Sequence, residues 1–338
     1  MAFKVLVTGG AGYIGSAVSK ALLSKECDVV IVDNLSTGFM EAVPRDASFI
    51  QADLRDAPVI DGILMDHKPD AVMHFAGKLV VHESVDDAEG YFANNVLASL
   101  NLLRASARAH VDKFVFSSSC TVYGQLDRPL LEDDPRKPIC PYGETKVAVE
   151  KLLERFDMAA GLRYVSLRFF NVAGAILDEG IGQRTRHSTQ LIKAACEAAI
   201  GSRESLSIYG NSYPTRDGTC LRDFVHIADI VDAHLRALDH LTGSGRSEFF
   251  NCGSGAGSTV LETVSMMQKI CGGKIKVAHE PNRKGDMATA VADTTKIARR
   301  LGWKPRFSDL DSICRSAYDW ELSQHPALRG ADESPSHI

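Results

Sequence analysis

Short apolar runs alternate with longer amphipathic stretches through the first half of the chain. The runs are continuously apolar, which is typical of strands buried on both faces of a parallel sheet. The stretches at residues 14–24, 59–66 and 93–109 have the apolar spacing of helices. The predicted strands are residues 4–8, 29–33, 48–51, 71–75, 113–117 and 163–169. This order predicts an α/β fold, with a doubly wound parallel sheet and flanking helices over residues 1–170.

The pattern changes after Asn171. Glycine and proline become more frequent, the apolar runs shorten, and loops such as residues 209–219 lengthen. These features predict a smaller part of mixed α/β structure over residues 171–326 that contacts substrate, with some of its segments returning to the first domain. Residues 327–338 are polar and are expected to be disordered.

Composition and charge argue against several classes of function. The chain has 338 residues and a net charge of −5 with no basic stripe, so nucleic acid is not expected as a partner. No apolar run approaches membrane-spanning length, and the first strand begins at residue 4, so neither a membrane span nor a signal peptide is expected. The eight cysteines are scattered without a Cys-x-x-Cys pair, which is typical of a reduced, cytoplasmic protein.

The histidines show no metal motif. None of the eleven is spaced as His-x-x-x-His, and His74, His82 and Glu83 are the nearest approach to a ligand cluster. No metal site is predicted.

A glycine-rich turn, residues 9–15 (GGAGYIG), directly follows the first predicted strand. Gly9, Gly12 and Gly15 would let the backbone turn tightly, approach a pyrophosphate and pack the next helix against its strand. The N-terminus of that helix adds N–H groups and a partial positive charge. The turn therefore predicts a dinucleotide site.

The residues after the second strand favour NAD over NADP. That strand ends in Asp33, about 20 positions past the glycines, where a carboxylate binds the adenosine ribose hydroxyls. Asp33 would repel a 2′-phosphate, and residues 34–37 contain no Arg or Lys to bind one. Asp53 follows the third strand and has two interpretations, a contact to the adenine edge or a helix cap.

Tyr142 and Lys146 are four residues apart at the head of a predicted helix that continues to about residue 158. They therefore lie on one helix face. Residues 117–119 are three serines that end a strand, at the sheet edge where ligands bind. A serine hydroxyl, a phenol and an ammonium beside a nicotinamide can move a proton and a hydride. The positive charges of the lysine ammonium and of the oxidised nicotinamide both favour the phenolate, which is the form that accepts the proton.

These motifs resemble the extended short-chain dehydrogenases/reductases, which share the glycine turn, a Ser-x-x-x-Tyr-Gly segment (here residues 119–124) and the Tyr142/Lys146 pair. More specific segments are similar to the UDP-glucose (UDP-galactose) 4-epimerases. These segments are residues 116–124 (FSSSCTVYG), 167–175 (LRFFNVAGA) and 209–226 (YGNSYPTRDGTCLRDFVH). The likeness runs from residue 4 to about residue 310 and implies a Rossmann domain followed by a nucleotide-sugar-binding part.

The resemblance implies NAD-dependent epimerisation at C4 of a UDP-sugar, UDP-glucose or UDP-galactose, through a transient 4-keto intermediate. Tyr142 would take the O4 proton with Lys146 beside it, Ser119 would hydrogen-bond the same oxygen, and Thr121 would help to place it. NAD would be held permanently, and a homodimer is expected.

The motifs and the resemblance assign two sets of binding residues. The cofactor set is Gly9, Gly12, Tyr13, Ile14, Gly15, Asp33, Asn34, Asp53, Leu54, Phe75, Ala76, Lys78, Asn94, Tyr142 and Lys146. The substrate set is Lys78, Ser119, Tyr142, Asn171, Gln190, Leu191, Tyr209, Arg222, Arg283, Asp286 and Ala290.

Within the substrate set, the resemblance places Arg222 at the diphosphate and Asn171 at a phosphate, and a guanidinium suits the former. Arg283 and Asp286 would bind phosphate and the uridine ribose. The alternatives are structural salt bridges for the two arginines and a solvated charge for Lys78.

The uracil end involves three further residues. Gln190 and Leu191 match a uracil-binding pair, and Tyr209 would lie beside the base.

Four features depart from the family pattern. Cys120 replaces the more usual alanine, Phe169 a common tyrosine, and Gln190 a common asparagine, and residues 181–188 do not match the best-known bacterial members. The natural sugar therefore stays open, with UDP-xylose/UDP-arabinose and UDP-N-acetylhexosamine as alternatives.

Ala290 falls where members restricted to plain hexoses carry a bulky aromatic. Alanine would leave room for an N-acetyl group, and the alternative is close packing of two elements.

Two rival functions are weaker. A nucleotide-sugar 4,6-dehydratase requires an Asp-Glu pair where this chain has Cys120 and Thr121. A cofactor-bound sensor would be expected to lack Tyr142 or Lys146, and both are present.

Overall fold

The computed structural model describes residues 2–186, 188–243, 245–273, 275–283 and 285–325. The tail predicted at residues 327–338 lies outside the described residues. The strands are β1 (Lys4–Thr8), β2 (Asp28–Asp33), β3 (Ser48–Gln51), β4 (Ala71–His74), β5 (Lys113–Ser119), β6 (Arg163–Phe169), β7 (Asn171–Ala173), β8 (Leu206–Tyr209), β9 (Leu221–His226), β10 (Glu248–Cys252), β11 (Gly257–Thr259), β12 (Val277–Glu280) and β13 (Thr289–Ala290).

The α-helices follow the same alternation as the strands. They are α1 (Tyr13–Ser24), α2 (Ala57–His67), α3 (Val81–Asp86), α4 (Ala88–Tyr91), α5 (Ala98–Arg108), α6 (Pro141–Ala160), α7 (Leu191–Ala199), α8 (Ile227–Thr242), α9 (Val260–Ile270), α10 (Thr295–Leu301) and α11 (Leu310–Gln324). A π-helical turn, Phe92–Leu97, joins α4 to α5. The six predicted strands and the predicted helices are present, with ends that differ by no more than a few residues.

Seven parallel strands form the main sheet in the order β10-β6-β5-β4-β1-β2-β3. The chain order reverses between β1 and β4, and doubly wound sheets bind ligands beyond the carboxyl ends of the strands at such a point. The predicted doubly wound α/β fold is confirmed.

Alternate residues of β1 serve two apolar cores, one on each face of the sheet. Val5 and Val7 pack with residues of α1 and α8, whereas Leu6 packs with residues of α2 and α5. Because both faces are covered, the strand is apolar throughout, as the sequence pattern required.

The second half of the chain forms a smaller unit around β9. That strand pairs with β7, β11 and β13, while β8 pairs with β12. Helices α7, α9 and α11 enclose a further apolar core. Strand β10 nevertheless pairs with β6, so the chain returns to the main sheet after residue 171.

Among the described residues, no helix combines the length and apolar character needed to cross a bilayer.

Candidate active site

The glycine turn between β1 and α1 needs glycine at specific positions. Gly9 has a φ of +72°, and a Cβ there would lie 2.5 Å from the backbone nitrogen of Ala76. A Cβ on Gly15 would overlap the carbonyl oxygen of Gly9. Gly12 caps α1 without a side-chain hydrogen bond, which leaves the first N–H groups of the helix for an external acceptor. This open cradle fits a dinucleotide pyrophosphate.

Asp33 ties the glycine turn to the end of β2. Its Oδ2 accepts from the Ala11 N–H at 3.0 Å, and its Oδ1 accepts from the Leu35 N–H at 2.8 Å. Each carboxylate oxygen can accept a second hydrogen bond. The carboxylate is therefore fixed at the sheet edge with acceptor capacity left for ribose hydroxyls.

Asp53 lies beside Asn34 and Arg55. Asn34 Nδ2 donates to Asp53 at 3.1 Å, and Arg55 donates to both carboxylate oxygens at 2.9 and 2.7 Å. The hydrogen bond from Arg55 holds the pKa of Asp53 well below its usual range. The helix-cap interpretation of Asp53 is wrong, because Asp56 caps α2 by accepting from the Val59 N–H.

Lys78 contacts side chains at the start and end of α4. Its ammonium donates to Asp87 at 2.9 Å and lies 5.3 Å from the Tyr91 ring centroid. The Lys78 backbone is held by Asn95, which accepts from its N–H at 2.8 Å and donates to its carbonyl at 3.0 Å. Asn95 was not predicted from the sequence, although its neighbour Asn94, which donates to it, was.

The catalytic candidates meet where β5 ends against α6. Lys146 Nζ donates to the Ser117 carbonyl oxygen at 2.8 Å and lies 5.7 Å from the Tyr142 ring centroid. Hydrogen bonding with Ser119 lowers the pKa of the Tyr142 phenol, so the two hydroxyls lie close together. Thr121 donates to Ser119 Oγ at 3.0 Å from its hydroxyl and 3.2 Å from its backbone. All four predicted catalytic residues are thus brought together.

Burial dominates the ionisation of this cluster. It raises the pKa of the Tyr142 phenol, against the lowering effect of the Ser119 hydrogen bond. It lowers the pKa of the Lys146 ammonium to about 8, while the charge of Glu150 acts in the opposite direction. The tyrosine is therefore protonated in this state, and its ionisation requires further positive charge nearby.

Two pairs of predicted substrate residues lie beside the β9 unit. Arg222 donates to the Met287 carbonyl oxygen at 2.6 Å and lies 4.0 Å from Asp286. The Arg283 guanidinium lies 3.8 Å from the Tyr209 ring centroid, and its Nε is buried without a hydrogen-bond partner. An unpaired buried donor is costly, so Arg283 is arranged to receive an external acceptor.

The start of α7 carries the two residues predicted at the uracil. Gln190 accepts a hydrogen bond from Gln183, and Leu191 is half-buried. Asn171 lies on the neighbouring β7, in register with Phe224 of β9.

Residues 183–186, in the segment that departs from the family pattern, contact both halves of the chain. The Gln183 carbonyl accepts from Trp320 Nε1 at 3.3 Å. Arg186 reaches the loop after Asp33, where its guanidinium lies 5.6 Å from the Phe39 ring centroid and Nη1 donates to the Ser36 carbonyl at 3.5 Å. No local pattern in the sequence predicts this contact.

Ala290 lies next to Arg222 in the β9–β13 register. It is only 2% exposed and belongs to one apolar cluster with Cys120, Met287 and Phe170. Ala290 is thus closely packed where β13 meets β9, as its alternative interpretation expects, and Cys120 lies in the same cluster.

No group of three or more potential metal ligands lies together in the part of the chain that the structure describes. His74 belongs to the group of residues that comes nearest to a metal-ligand cluster in the sequence. In the structure it is buried between the hydroxyls of Thr8 and Ser99, at 2.6 and 2.8 Å from its ring nitrogens.

Comparison with known proteins gives a consistent result. The model of the NAD dependent epimerase/dehydratase family matches residues 5–253. The chain is 46% identical over 321 residues to the UDP-glucose 4-epimerase of Azospirillum brasilense, covering 95% of this chain and 92% of that one.

Two solved structures resemble the whole fold. The UDP-glucose 4-epimerase from Brucella ovis in complex with NAD has a TM-score of 0.90 and 40% identity, covering 94% of this chain and 98% of the other. The UDP-Glc/GlcNAc 4-epimerase from Campylobacter jejuni has a TM-score of 0.81 and 40% identity, covering 95% and 99%.

Proposed function

Since the chain belongs to the NAD dependent epimerase/dehydratase family, and within it to the UDP-glucose 4-epimerases, we propose that it interconverts UDP-glucose and UDP-galactose with a resident NAD. The observation that carries this proposal is the meeting of Tyr142, Lys146 and Ser119 at the end of β5. That cluster lies at the same sheet edge as the glycine cradle.

Tyr142 is the proton acceptor for the sugar O4 hydroxyl. It is the buried phenol of the cluster, and hydrogen bonding with Ser119 favours its ionised form by lowering its pKa. Ser119 and Thr121 form a short relay of hydroxyls that fixes where the sugar oxygen lies. Lys146 stabilises the phenolate by its charge and is held in place by the Ser117 carbonyl.

NAD, held by the glycine cradle and Asp33, would supply the hydride chemistry at C4. The protein's part is to keep the sugar oriented and water away. The nucleotide would be anchored by Arg222, Arg283 and Asp286, so that the freed sugar can turn while the UDP stays in place. Asn171, Gln190, Leu191 and Tyr209 would complete that anchor.

A UDP-N-acetylhexosamine is the second candidate substrate. Ala290 favours it, since a small residue at that position admits the larger sugar more readily than an aromatic would. Cys120 belongs to the same cluster and limits the space gained.

We also propose a homodimer in the cytoplasm. Phe92 and Leu97, just before α5, and Met158 on α6 are exposed apolar side chains, at 38%, 45% and 77%. A second copy would cover them. Light scattering should give twice the chain mass, and Leu97→Glu should give monomers, whereas Leu177→Glu, equally exposed on another surface, should not.

All eight cysteines are free, which suits a reducing compartment such as the cytoplasm.

Incubation of the purified protein with UDP-galactose, UDP-xylose and UDP-N-acetylgalactosamine, without added NAD, tests the function. Chromatography should show the 4-epimer of UDP-galactose and no net NADH. Product from none of the three sugars, or a 4-keto-6-deoxy product, would overturn the proposal.

A further inference from the structure

Three consecutive serines at the end of β5 contact three positions on one face of α6. Tyr142, Lys146 and Glu150 are spaced by four residues, so they follow one another along the helix. Ser119 lies close enough to Tyr142 to lower the pKa of its phenol, and the Ser117 carbonyl accepts from Lys146 at 2.8 Å.

The third of these contacts has no part in the mechanism above. Ser118 Oγ donates to Glu150 Oε1 at 2.8 Å. Glu150 has no exposed surface, although carboxylates are seldom fully buried.

Buried partners satisfy the Glu150 carboxylate. Arg168 donates to both of its oxygens, each at 2.9 Å, and Ser166 Oγ donates at 3.2 Å. Arg136 Nη1 lies farther away, at 3.4 Å. A buried ion pair of this kind is often no more stabilising than apolar residues of the same shape. Stability alone therefore does not account for its presence one helical turn from Lys146.

The pair is also fastened to the segment that follows the catalytic serine. Arg168 Nη1 donates to the Tyr123 hydroxyl at 2.6 Å and to the Glu132 carbonyl at 3.0 Å. The Tyr123 hydroxyl in turn donates to Asn251 Oδ1 on β10 at 2.7 Å. Glu150 thus lies at the centre of a network that joins α6 to β5, β6 and β10.

We propose that Glu150 is a positioning residue for proton transfer at Tyr142, fixing α6 against the three serines and placing a negative charge behind the Lys146 ammonium. This inference rests on the proposed function, because Tyr142 is the proton acceptor there.

The charges that face Lys146 give the sign of the effect. The groups that interact with Lys146 are the negative charge of Glu150, the neutral Tyr142 phenol, and His74, which is buried and neutral with a pKa of about 3. Arg168 and Arg136 pair with Glu150 in turn. Removing the negative charge of Glu150 leaves burial unopposed, so Lys146 would lose its proton at lower pH.

Glu150→Gln keeps the shape of the side chain and removes its charge. We expect the alkaline limb of the kcat–pH profile to move down by roughly one pH unit, and kcat at pH 8 to fall roughly tenfold. Bound NAD and KM for the UDP-sugar should change little. The matched control is Glu154→Gln, which removes a half-exposed carboxylate on the same helix as Glu150; this carboxylate pairs with Arg136, which precedes that helix. Its profile should overlay that of the parent.

Ser118→Ala decides the matter if Glu150→Gln does not fold. It removes one hydroxyl and leaves the Glu150–Arg168 pair intact, so kcat should fall with KM unchanged. If Glu150→Gln folds, an unshifted kcat–pH profile would overturn the inference. If Glu150→Gln does not fold, an unchanged kcat in Ser118→Ala would overturn it. Tyr142→Phe separates the two claims: activity in that variant contradicts the proposed function, whereas its inactivity beside an unshifted Glu150→Gln profile contradicts only this inference.

Discussion

The guanidinium of Arg186 lies over the ring of Phe39, 5.6 Å from its centroid. An arginine from the second half of the chain thus covers the loop that follows Asp33. Residues 34–37 contain no Arg or Lys, and this absence favours NAD over NADP. In the folded protein, however, Arg186 reaches this loop, although it is 150 positions from Ser36 in the sequence. We therefore expect the choice between the two dinucleotides to depend on Asp33 and Arg186 together.

The first prediction concerns this pair of residues. The purified protein should carry NAD and need none added. Asp33→Ala should raise the affinity for NADP relative to NAD by roughly tenfold, because it removes a charge that repels the 2′-phosphate. Adding Arg186→Ala should cancel that gain, as measured by titrating cofactor-free protein with each dinucleotide.

Arg184→Ala is the matched control, because Arg184 lies over Trp320 and bonds Gln324 instead of the loop. A preparation that is empty and active only with added NADP would contradict the assignment of the cofactor.

The second prediction concerns the proton acceptor. Tyr142→Phe should lower turnover by roughly a hundredfold or more while the protein still folds and keeps its NAD. Ser119→Ala should cost less, since Ser119 orients the sugar oxygen and Thr121 still donates nearby. Steady-state kinetics measures both, and a larger loss in the serine variant would reverse the two roles.

The third prediction concerns the wall around Ala290. We expect the parent enzyme to turn over UDP-N-acetylglucosamine or its galacto epimer alongside the plain sugar. Ala290→Tyr should abolish N-acetyl turnover and spare the plain sugar, although a large side chain at a site only 2% exposed also risks strain.

Cys120→Ala supplies the compensating change for Ala290→Tyr. Because Cys120 shares the cluster with Ala290, the double variant should recover stability lost in Ala290→Tyr, as measured by thermal unfolding. Equal loss of both sugars in Ala290→Tyr, or no N-acetyl activity in the parent, would rule out this role for the wall.

The fourth prediction concerns pH and folding. Burial lowers the pKa of His234 to about 4, from an ordinary value near 6.5. Between those values the unfolded chain binds a proton that the folded chain does not, so the free energy of unfolding falls as pH falls from 6.5 to 4. The slope due to one such histidine is about 1.4 kcal/mol per pH unit.

His234→Gln should remove that part of the slope, measured by urea unfolding at several pH values. The ring lies 4.7 Å from Phe75 and 5.2 Å from Phe169, so the variant should also be less stable at pH 8. An identical slope in the two proteins would show that His234 titrates normally.

The main sheet could be predicted from sequence because its strands are apolar on both faces. Residues 4–8, 48–51 and 163–169 have the observed bounds. The end of β5 was placed two residues early, since Ser118 and Ser119 are polar, yet both are buried against α6. Their burial depends on partners such as Glu150, which lies 32 positions away in the sequence.

The site was predicted best where its residues are neighbours in the chain. Tyr142 and Lys146 share a helix face by spacing alone. Asp53 was ambiguous because Asp56, three residues later, provides the helix cap instead. Arg186, Asn95 and the Glu150–Arg168 pair act through contacts between distant segments, and no local pattern marks such contacts.

The pairing of β10 with β6 has a consequence for recombination between relatives. A chimera that joins the first 170 residues of one protein to the remainder of another would seat a foreign edge strand beside β6, where Phe250 lies fully buried opposite Leu167. Exchange of the second half of the chain therefore cannot be made with a single junction. Functional hybrids would need to keep residues 248–252 from the same parent as the main sheet. Two further junctions are therefore needed, one on each side of β10.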